Sequence, residues 1–297
     1  MKTTKLLFLT ITALFLMNCG DDEDSRETLE LVTVKHNTGV LYKIDKTTGD
    51  LTEIHTLTYG GSPLTYLNSL VFHPGTGTYF AGSSGNGYGH LYSIDPKTGI
   101  ATLLNNNNDS ANGNPYHWLY LNDLVVMPDG NILAVSSLQV GSPAGFTGDG
   151  LILFDTQGNV IEYIQSDAAV SGMVYGMYKT KMYGSYSYLR TVEVADGHAT
   201  MGPTINFTEG DGFDHEINFI GAVVMFNMVK DPDNSTLSEL LTEGEIYGLM
   251  YDGLPQDEYI VRINPLTGRL DNIGFLINGG TTVIYHGLAL VPESRLP

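Results

Sequence analysis

The sequence predicts an all-β fold built from a repeated unit of four strands, and three observations lead to this prediction. A hairpin motif recurs along the chain, a second strand motif recurs between the hairpins, and the composition favours turns over long helices. The chain has 297 residues, including 35 glycines and 12 prolines, and its hydrophobic fraction of 42% is enough for a core. These proportions indicate a turn-rich β domain.

The hairpin motif is clearest in residues 40–49 (VLYKIDKTTG) and residues 90–99 (HLYSIDPKTG). Weaker copies occupy residues 150–158, 189–197 and 259–268. Each copy has a strand, a turn in which Asp or Asn is followed by Gly, and a second short strand. An Asp or Asn side chain caps the backbone of such a turn, and Gly adopts its positive φ. Each copy is therefore predicted to be a β-hairpin.

The second motif is a strand that precedes the hairpins. Residues 66–74 (YLNSLVFHP) match residues 120–128 (YLNDLVVMP), and each is followed by a glycine-containing turn and a further strand. Looser matches occur at residues 170–175, 220–224 and 285–292. Two strands from this motif and two from the hairpin make a four-stranded unit. Repetition of such a unit is typical of the blades of a β-propeller.

The motifs also predict the number of blades and the way in which the ring closes. Innermost strands are expected near residues 67, 121, 170, 220 and 287, which gives five blades. A propeller of six blades is the alternative, because the interval 189–260 could conceal a degenerate extra unit, although two four-stranded blades would be tight in it. The last strand motif has no hairpin after it, and the first hairpin has no strand motif before it. The N- and C-terminal strands are therefore expected to share one blade within a propeller of residues 29–297, which removes exposed sheet edges.

The N-terminal residues predict export. Two lysines, Lys2 and Lys5, precede an apolar run of 12 residues, Leu6–Met17. A helix needs roughly 20 residues to span a bilayer, so this run fits a signal peptide over residues 1–18 rather than a membrane span. The only cysteine, Cys19, follows directly. A lone cysteine excludes an intramolecular disulfide and a Cys-based zinc site.

Residues 16–20 (LMNCG) resemble the lipobox of bacterial lipoproteins, and the acidic run at residues 21–24 (DDED) resembles the surface-export signal of Bacteroidota-type lipoproteins. The hairpin motif resembles the LYxID-P-x-TG repeat of bacterial propeller proteins. These resemblances imply palmitate-type acylation of Cys19, an acidic tether over residues 19–28, and an outer-membrane location with the cell surface favoured over the periplasmic face. Two or more acyl chains anchor a protein stably to a membrane.

The charge balance limits the class of partner. Lys and Arg number 14 against 33 Asp and Glu, which gives a formal net charge of −19. Nucleic acid is excluded as a partner, because phosphate binding needs a basic face. The expected partners are the membrane, through the lipid anchor, and a glycan or a protein.

A ligand site is expected at one mouth of the central channel, on the segments that enter the inner strands. The predicted ligand-binding residues are Tyr66, Asn68, Trp118, Tyr120, Asn122, Ser171, Tyr285 and His286. Alignment of the inner strands places Asn68, Asn122, Ser171 and His286 in equivalent positions. Hydroxyls, amides and aromatic faces suit sugars and also protein partners. The alternative is that the polar residues only satisfy backbone groups of a wet channel.

Carboxylates provide a catalytic and a metal alternative. The acid and base candidates of a carbohydrate-active hydrolase or lyase are Asp123, Asp211, Asp214 and Glu216. The oxygen ligands available to calcium are Glu209, Asp211, Asp214 and Glu216, although their spacing lacks the order of an EF-hand loop. No other cofactor is expected.

The balance of these signals favours binding without catalysis. Only one aligned inner strand carries an acid, and no serine-hydrolase elbow, zinc-protease motif or phosphate-binding loop occurs in the sequence. The sequence therefore predicts a lipid-anchored propeller that binds a glycan or a protein partner. A hydrolase or lyase, and a scaffold in a surface protein complex, are the alternatives.

Overall fold

A computed structural model describes residues 28–84, 89–106, 118–138, 148–166, 172–178, 181–185, 188–213, 223–231, 245–252, 257–277 and 285–297. The predicted signal peptide, Cys19 and the predicted tether up to residue 27 lie outside the described residues. So do Ser171, Asp214 and Glu216. In the described ranges the chain forms strands joined by turns, followed by a short 3-10 helix at Glu293–Arg295. No helix in these ranges is long and apolar enough to cross a bilayer.

The strands fall into groups of four along the chain. The first half contains β1 (Leu29–Lys35), β2 (Val40–Ile44), β3 (Leu51–Thr56), the short β4 (Thr58–Tyr59) and β5 (Ser62–Pro63), β6 (Leu67–His73), β7 (Thr78–Ser83), β8 (His90–Ile94), β9 (Ala101–Asn106), β10 (Trp118–Val126), β11 (Ile132–Leu138), β12 (Gly148–Phe154) and β13 (Val160–Ser166). The second half contains β14 (Gly172–Tyr178), β15 (Lys181–Ser185), β16 (Tyr188–Ala195), β17 (His198–Asn206), the short β18 (Thr208–Glu209), β19 (Val223–Asp231), β20 (Glu245–Asp252), β21 (Asp257–Ile263), β22 (Arg269–Ile277) and β23 (Tyr285–Pro292).

Five antiparallel blades of four strands result, as the repeats predict. From the inside outwards, blade 1 is β23-β1-β2-β3, blade 2 is β6-β7-β8-β9, blade 3 is β10-β11-β12-β13, blade 4 is β14-β15-β16-β17, and blade 5 is β19-β20-β21-β22. Blades 3 and 4 join into one eight-stranded sheet through a short parallel pairing of their outer strands, β13 and β17. The described strands of the interval 189–260 belong to blades 4 and 5, so they form no sixth blade.

The ring closes in the predicted way. The inner strands contact one another in the cyclic order β23, β6, β10, β14, β19 and back to β23. Strand β1 pairs with β23 from Leu29↔Pro292 to Lys35↔Tyr285, so strands from the two ends of the domain share blade 1. The pairing with β23 covers the edge of β1 that would otherwise be open, which is the advantage of closing the ring with strands from both ends of the domain.

The repeated turns have the capping that their sequence predicts. In the first hairpin the Asp45 Oδ1 accepts hydrogen bonds from the backbone N–H groups of Thr47 at 2.7 Å and Thr48 at 2.9 Å. The side chains of Asp95 and Asn264 accept equivalent bonds in blades 2 and 5. Because these bonds favour the ionised form, and the largest effect comes from Thr48, the pKa of Asp45 lies below its usual value.

The turn glycines also join neighbouring blades. The carbonyl oxygens of Gly99, Gly197 and Gly268 each accept a backbone N–H from the outer edge of the preceding blade, at 2.8 to 3.1 Å. In blade 3 the Gly158 carbonyl instead accepts the Asn105 side-chain amide at 2.7 Å. The hairpin motif therefore builds a belt around the outside of the ring as well as the individual blades.

The hydrophobic core consists of layers between adjacent blades rather than one central cluster. Between blades 1 and 2, for example, Val32 and Leu41 pack in one cluster with Tyr79 and Ile94. Four further clusters fill the spaces between blades 2 and 3, 3 and 4, 4 and 5, and 5 and 1. Each blade therefore buries both of its faces against its neighbours, and the inner strands surround the central channel.

Candidate functional site

The mouth at which the inner strands begin is shaped by bulges in those strands. The pairing register skips one residue at Asn68 in β6, at Asn122 in β10 and at Gly287 in β23. A bulge leaves backbone groups outside the ladder and re-aims the side chains near it. The sequence alignment placed His286 at the position of Asn68, but the bulge of β23 falls one residue later, at Gly287. His286 therefore corresponds to the residue before the bulge.

Two histidines from different segments meet at this mouth. The rings of His36 and His286 lie 4.8 Å apart between centroids and are tilted by 47°. The Nδ1 atom of His36 lies 2.7 Å from the carbonyl oxygen of Leu67. Because a carbonyl can only accept, this nitrogen carries the hydrogen and fixes the tautomer of a neutral ring.

Burial keeps both rings uncharged near neutral pH. It lowers the pKa of His36, against a smaller opposing effect of the bond to Leu67. Burial, with a smaller contribution from His36, lowers the pKa of His286 to about 3. The mouth therefore offers uncharged imidazoles rather than a cationic site for anions.

Tyr66 stands at the same mouth in an unusual backbone conformation. Its φ is +61°, its side chain is 52% exposed, and its ring lies edge-on to the ring of His36 with the centroids 5.6 Å apart. Two backbone bonds hold it: its N–H donates to the His36 carbonyl at 2.6 Å, and its carbonyl accepts the Ser84 N–H at 3.0 Å. A left-handed conformation costs a bulky residue on the order of 1–3 kcal/mol, and such strain is concentrated at functional sites.

Asn68 lies just inside the mouth and is buried. The Ser84 hydroxyl donates to its side-chain oxygen at 3.3 Å. The structure thus brings together Tyr66, Asn68 and His286 from the predicted set, and adds His36 and Ser84, which no sequence motif indicated.

A groove next to Tyr66 lies between the β4–β5 hairpin and strands β7 and β8 of blade 2. It has a volume of about 260 Å³ and is lined by Tyr59, Ser62, Pro63, Leu64, Thr65, Tyr66, Ser83, His90 and Tyr92. Strands β4 and β5 form its outer wall, turning at two glycines with positive φ. Two consecutive residues with positive φ characterise a type I′ hairpin.

The aromatic rings of this groove are arranged in contact. Tyr59, which is 43% exposed, lies edge-on to the buried Tyr92 with ring centroids 5.5 Å apart. His90 lies 6.1 Å from the same ring. Burial raises the pKa of Tyr92, whereas the neighbouring Ser83 hydroxyl opposes that change, so Tyr92 stays a neutral phenol.

Two buried polar atoms of the groove have no hydrogen-bond partner among the described residues, the Nδ1 of His90 and the hydroxyl oxygen of Ser83. Burial lowers the pKa of the His90 imidazole. A buried nitrogen without a bond is costly, and the cost disappears when a ligand or water supplies the missing partner.

The remaining predicted binding residues are more dispersed. Tyr120 is 39% exposed on β10 of blade 3. Trp118 opens the same strand and pairs with Leu138, but its side chain lies outside the described part of the structure. Tyr285 is buried, with its ring edge-on to Tyr42 at 5.7 Å, so it packs in the wall instead of facing a ligand.

The predicted carboxylates that the structure describes, Asp123, Glu209 and Asp211, are not brought together. Asp123 is buried on the inner strand of blade 3, where its Oδ1 accepts the Leu124 N–H at 2.8 Å. Asp211 follows β18 at the outer edge of blade 5 and forms an exposed ion pair with Arg269 at 3.0 Å. Glu209 lies on the same outer edge and is exposed. Within the described residues no group of three or more His, Cys, Asp or Glu could hold a metal ion.

A buried acid that no sequence motif indicated joins blades 5 and 1. Both carboxyl oxygens of Glu258 on β21 accept the backbone N–H of Tyr285, at 3.1 and 2.9 Å. Burial raises the pKa of Glu258 to about 8, and the bond from Tyr285 opposes that shift. This acid positions the start of the closing strand.

Comparison with known proteins supports the fold. No family model and no curated protein sequence matches the chain. A chain of a nidogen–laminin complex is similar over 89% of this chain and 98% of its own, with 8% identity and a TM-score of 0.50. A gluconolactonase from Xanthomonas campestris is similar over 87% of this chain and 82% of its own, with 12% identity and a TM-score of 0.46. The WD40 β-propeller domain of Doa1 is similar over 82% of this chain and 78% of its own, with 10% identity and a TM-score of 0.40. At these identities the likeness concerns the fold alone.

Proposed function

We propose that this protein is a lipid-anchored propeller of the bacterial cell envelope that binds a glycan without catalysis. The proposed binding face is the channel mouth with its adjoining tyrosine-lined groove. A protein partner is the second candidate, because exposed tyrosines also serve protein interfaces.

The exposure and the backbone conformation of Tyr66 are the main support for the binding proposal. An aromatic ring that is half exposed, held at positive φ and bordered by polar groups is disfavoured by stability alone. Such rings bind the C–H faces of sugars, while neighbouring hydroxyls and amides bind their hydroxyl groups. Asn68 and Ser83 supply such groups beside it.

The positions of the two described acids, Asp123 and Asp211, support binding over hydrolysis. Paired carboxylates of a glycosidase stand about 5–5.5 Å or 6.5–9.5 Å apart around the scissile bond. Asp123 lies on an inner strand of blade 3, whereas Asp211 lies on the outer edge of blade 5. One acid therefore lies at the centre of the ring and the other at its outside, in different blades, so the two cannot flank one glycosidic bond.

A glycan array followed by product analysis tests binding against catalysis. We expect retention of one class of glycan with no released oligosaccharide, and the same retention by an Asp123→Asn variant. Release of shorter products that stops in Asp123→Asn would establish a hydrolase or lyase instead. Retention of no glycan, with specific binding of a purified envelope protein, would favour the protein partner or scaffold role.

The lipid anchor rests on the sequence around Cys19. Acyl chains on this residue would move the mature protein into the detergent phase when membranes are partitioned, because each buried methylene contributes to membrane affinity. We expect the Cys19→Ala variant to move to the aqueous phase. Equal partitioning of both proteins would contradict the anchor.

Protease treatment of intact cells then tests the side of the membrane. Surface display predicts digestion of the propeller without cell lysis. Protection until the outer membrane is opened would place the protein on the periplasmic face.

A further inference from the structure

We propose that the groove between the β4–β5 hairpin and blade 2 is the primary subsite of this protein and that it takes one neutral sugar ring. This inference rests on the proposed function and adds to it the position, the size and the charge class of the ligand. Tyr59 and Tyr66 would contact the C–H faces of the sugar, and His90 and Ser83 would bind its hydroxyl groups.

The aromatic residues favour a sugar as the ligand. The groove is lined by two exposed tyrosines, Tyr59 at 43% and Tyr66 at 52%, and by the buried Tyr92. A tyrosine side chain has a flat apolar ring and a polar hydroxyl group, so it suits a ligand that has an apolar face and polar groups at its edge. A pyranose has both.

The polar residues favour a ligand with hydroxyl groups. The Nδ1 of His90 is buried without a partner among the described residues, and either tautomer of the ring can occur there. A hydroxyl donates to a bare nitrogen and accepts from a protonated one, so it satisfies both tautomers. Neither a carboxylate nor an ammonium has this versatility.

The charge of the lining favours a neutral ligand. The described lining residues are tyrosine, serine, threonine, proline, leucine and histidine, and none of them is Lys, Arg, Asp or Glu. Burial lowers the pKa of the one imidazole, so the ring does not become a cation for an anionic sugar. A uronic acid or a sugar phosphate would lose part of its hydration here without gaining a counter-charge.

The volume favours a single ring. Sites for drug-sized ligands occupy about 300–1,000 Å³, whereas this groove measures about 260 Å³. One sugar therefore fits the groove, and the rest of a longer glycan would extend over the mouth towards Tyr66 and His286.

The experiment uses the full-length protein in detergent micelles and measures affinity for methyl glycosides of glucose, galactose, mannose and N-acetylglucosamine, with glucuronic acid as the charged comparison. The variants are Tyr59→Ala, His90→Ala and the matched control Tyr188→Ala, which removes a partly exposed tyrosine stacked on Arg190 in blade 4. Thermal unfolding of each variant establishes that it is folded.

We expect at least one neutral glycoside to bind, with Tyr59→Ala and His90→Ala each weakening its affinity tenfold or more and Tyr188→Ala leaving it unchanged. Glucuronic acid should bind more weakly than the best neutral sugar. If glycans bind on the array and neither groove variant weakens them, the subsite is wrong while the proposed function stands. Preference for glucuronic acid overturns the charge class, and absence of any glycan binding overturns both proposals.

Discussion

At the scale of single residues, Tyr66 has a backbone conformation that costs stability, which makes it a test of the proposed binding role. Glycine adopts a φ of +61° without the steric cost that a side chain with a Cβ incurs. The ring itself is half exposed and contributes little burial. Glycine or asparagine would adopt this conformation at a lower steric cost, which supports the proposal that the Tyr66 ring serves binding.

We therefore expect Tyr66→Gly to be more stable than Tyr66→Ala by about 1 kcal/mol, because both lack the ring and differ in the cost of a positive φ. Both variants should lose glycan affinity to the same extent. Urea unfolding and titration with the bound glycan measure the two quantities. Equal stability of the two variants would show that the backbone of residue 66 relaxes freely, and retained affinity would remove the ring from the site.

The sequence predicted individual residues correctly where their contacts are with neighbours in the chain. The caps Asp45, Asp95 and Asn264 follow from side chains that reach a backbone two or three residues away. It failed for His36 and Glu258, whose partners lie 31 and 27 residues along the chain. The register of His286 was wrong by one residue, because a bulge at Gly287 leaves no pattern in an alignment of strand motifs.

At the scale of secondary-structure elements, the hairpin turns are shaped by their neighbours as well as by their own conformation. Gly268 has a φ of +74°, and a Cβ on it would overlap the carbonyl oxygen of Asn206 on the outer strand of blade 4. Gly60, in the turn between β4 and β5, has a φ of +59°, and no atom lies within 4 Å of the position that a Cβ would occupy. The two glycines thus share a backbone requirement and differ in packing.

We expect Gly60→Ala to lower the free energy of unfolding by about 1 kcal/mol, from backbone strain alone. Gly268→Ala should lower it by about 3 kcal/mol, because the added methyl group forces blades 4 and 5 apart. Chemical denaturation of both variants measures the difference. Similar losses in the two would mean that the belt of turn glycines does not contribute to the packing between blades.

The same elements explain why the sequence predicted the fold but not the groove. Each hairpin repeats its motif, so five copies report the same architecture. The groove depends on the β4–β5 hairpin, whose only sequence signal is the Gly60-Gly61 pair. Nothing in that pair reveals that it places Tyr59 against Tyr92, because this contact arises from the packing of one element on the next blade.

At the scale of the whole molecule, stability depends on the joint between blades 5 and 1. Strand β23 enters blade 1 at Tyr285, and Glu258 of blade 5 accepts the backbone N–H of that residue with both oxygens. Burial raises the pKa of Glu258 to about 8, so the folded protein holds a proton that the unfolded chain releases near the ordinary glutamate pKa of 4.5. The side chains beside it include Tyr285, whose own pKa is raised to about 12 by burial first and then by Tyr42 and Glu258.

The sign of the resulting pH dependence follows from proton linkage. Between pH 4.5 and 8 the native state binds more protons at Glu258 than the unfolded state does, so the stability contributed by this residue falls as the pH rises. It is fully present below about pH 4.5 and is lost as the pH passes through 8. Ionisation then places a charge in the joint at which the ring closes, at a cost of a few kcal/mol.

A Glu258→Gln variant isolates this effect, because its amide oxygen accepts the Tyr285 N–H but does not titrate. The parent should lose a few kcal/mol of stability relative to the variant between about pH 5 and pH 9. The histidines with lowered pKa values are present in both proteins, so their contributions cancel in the difference. Chemical denaturation at each pH measures the two curves. Parallel curves would show that the closing joint tolerates the charge, and the ring would then owe its closure to the pairing of β1 with β23 alone.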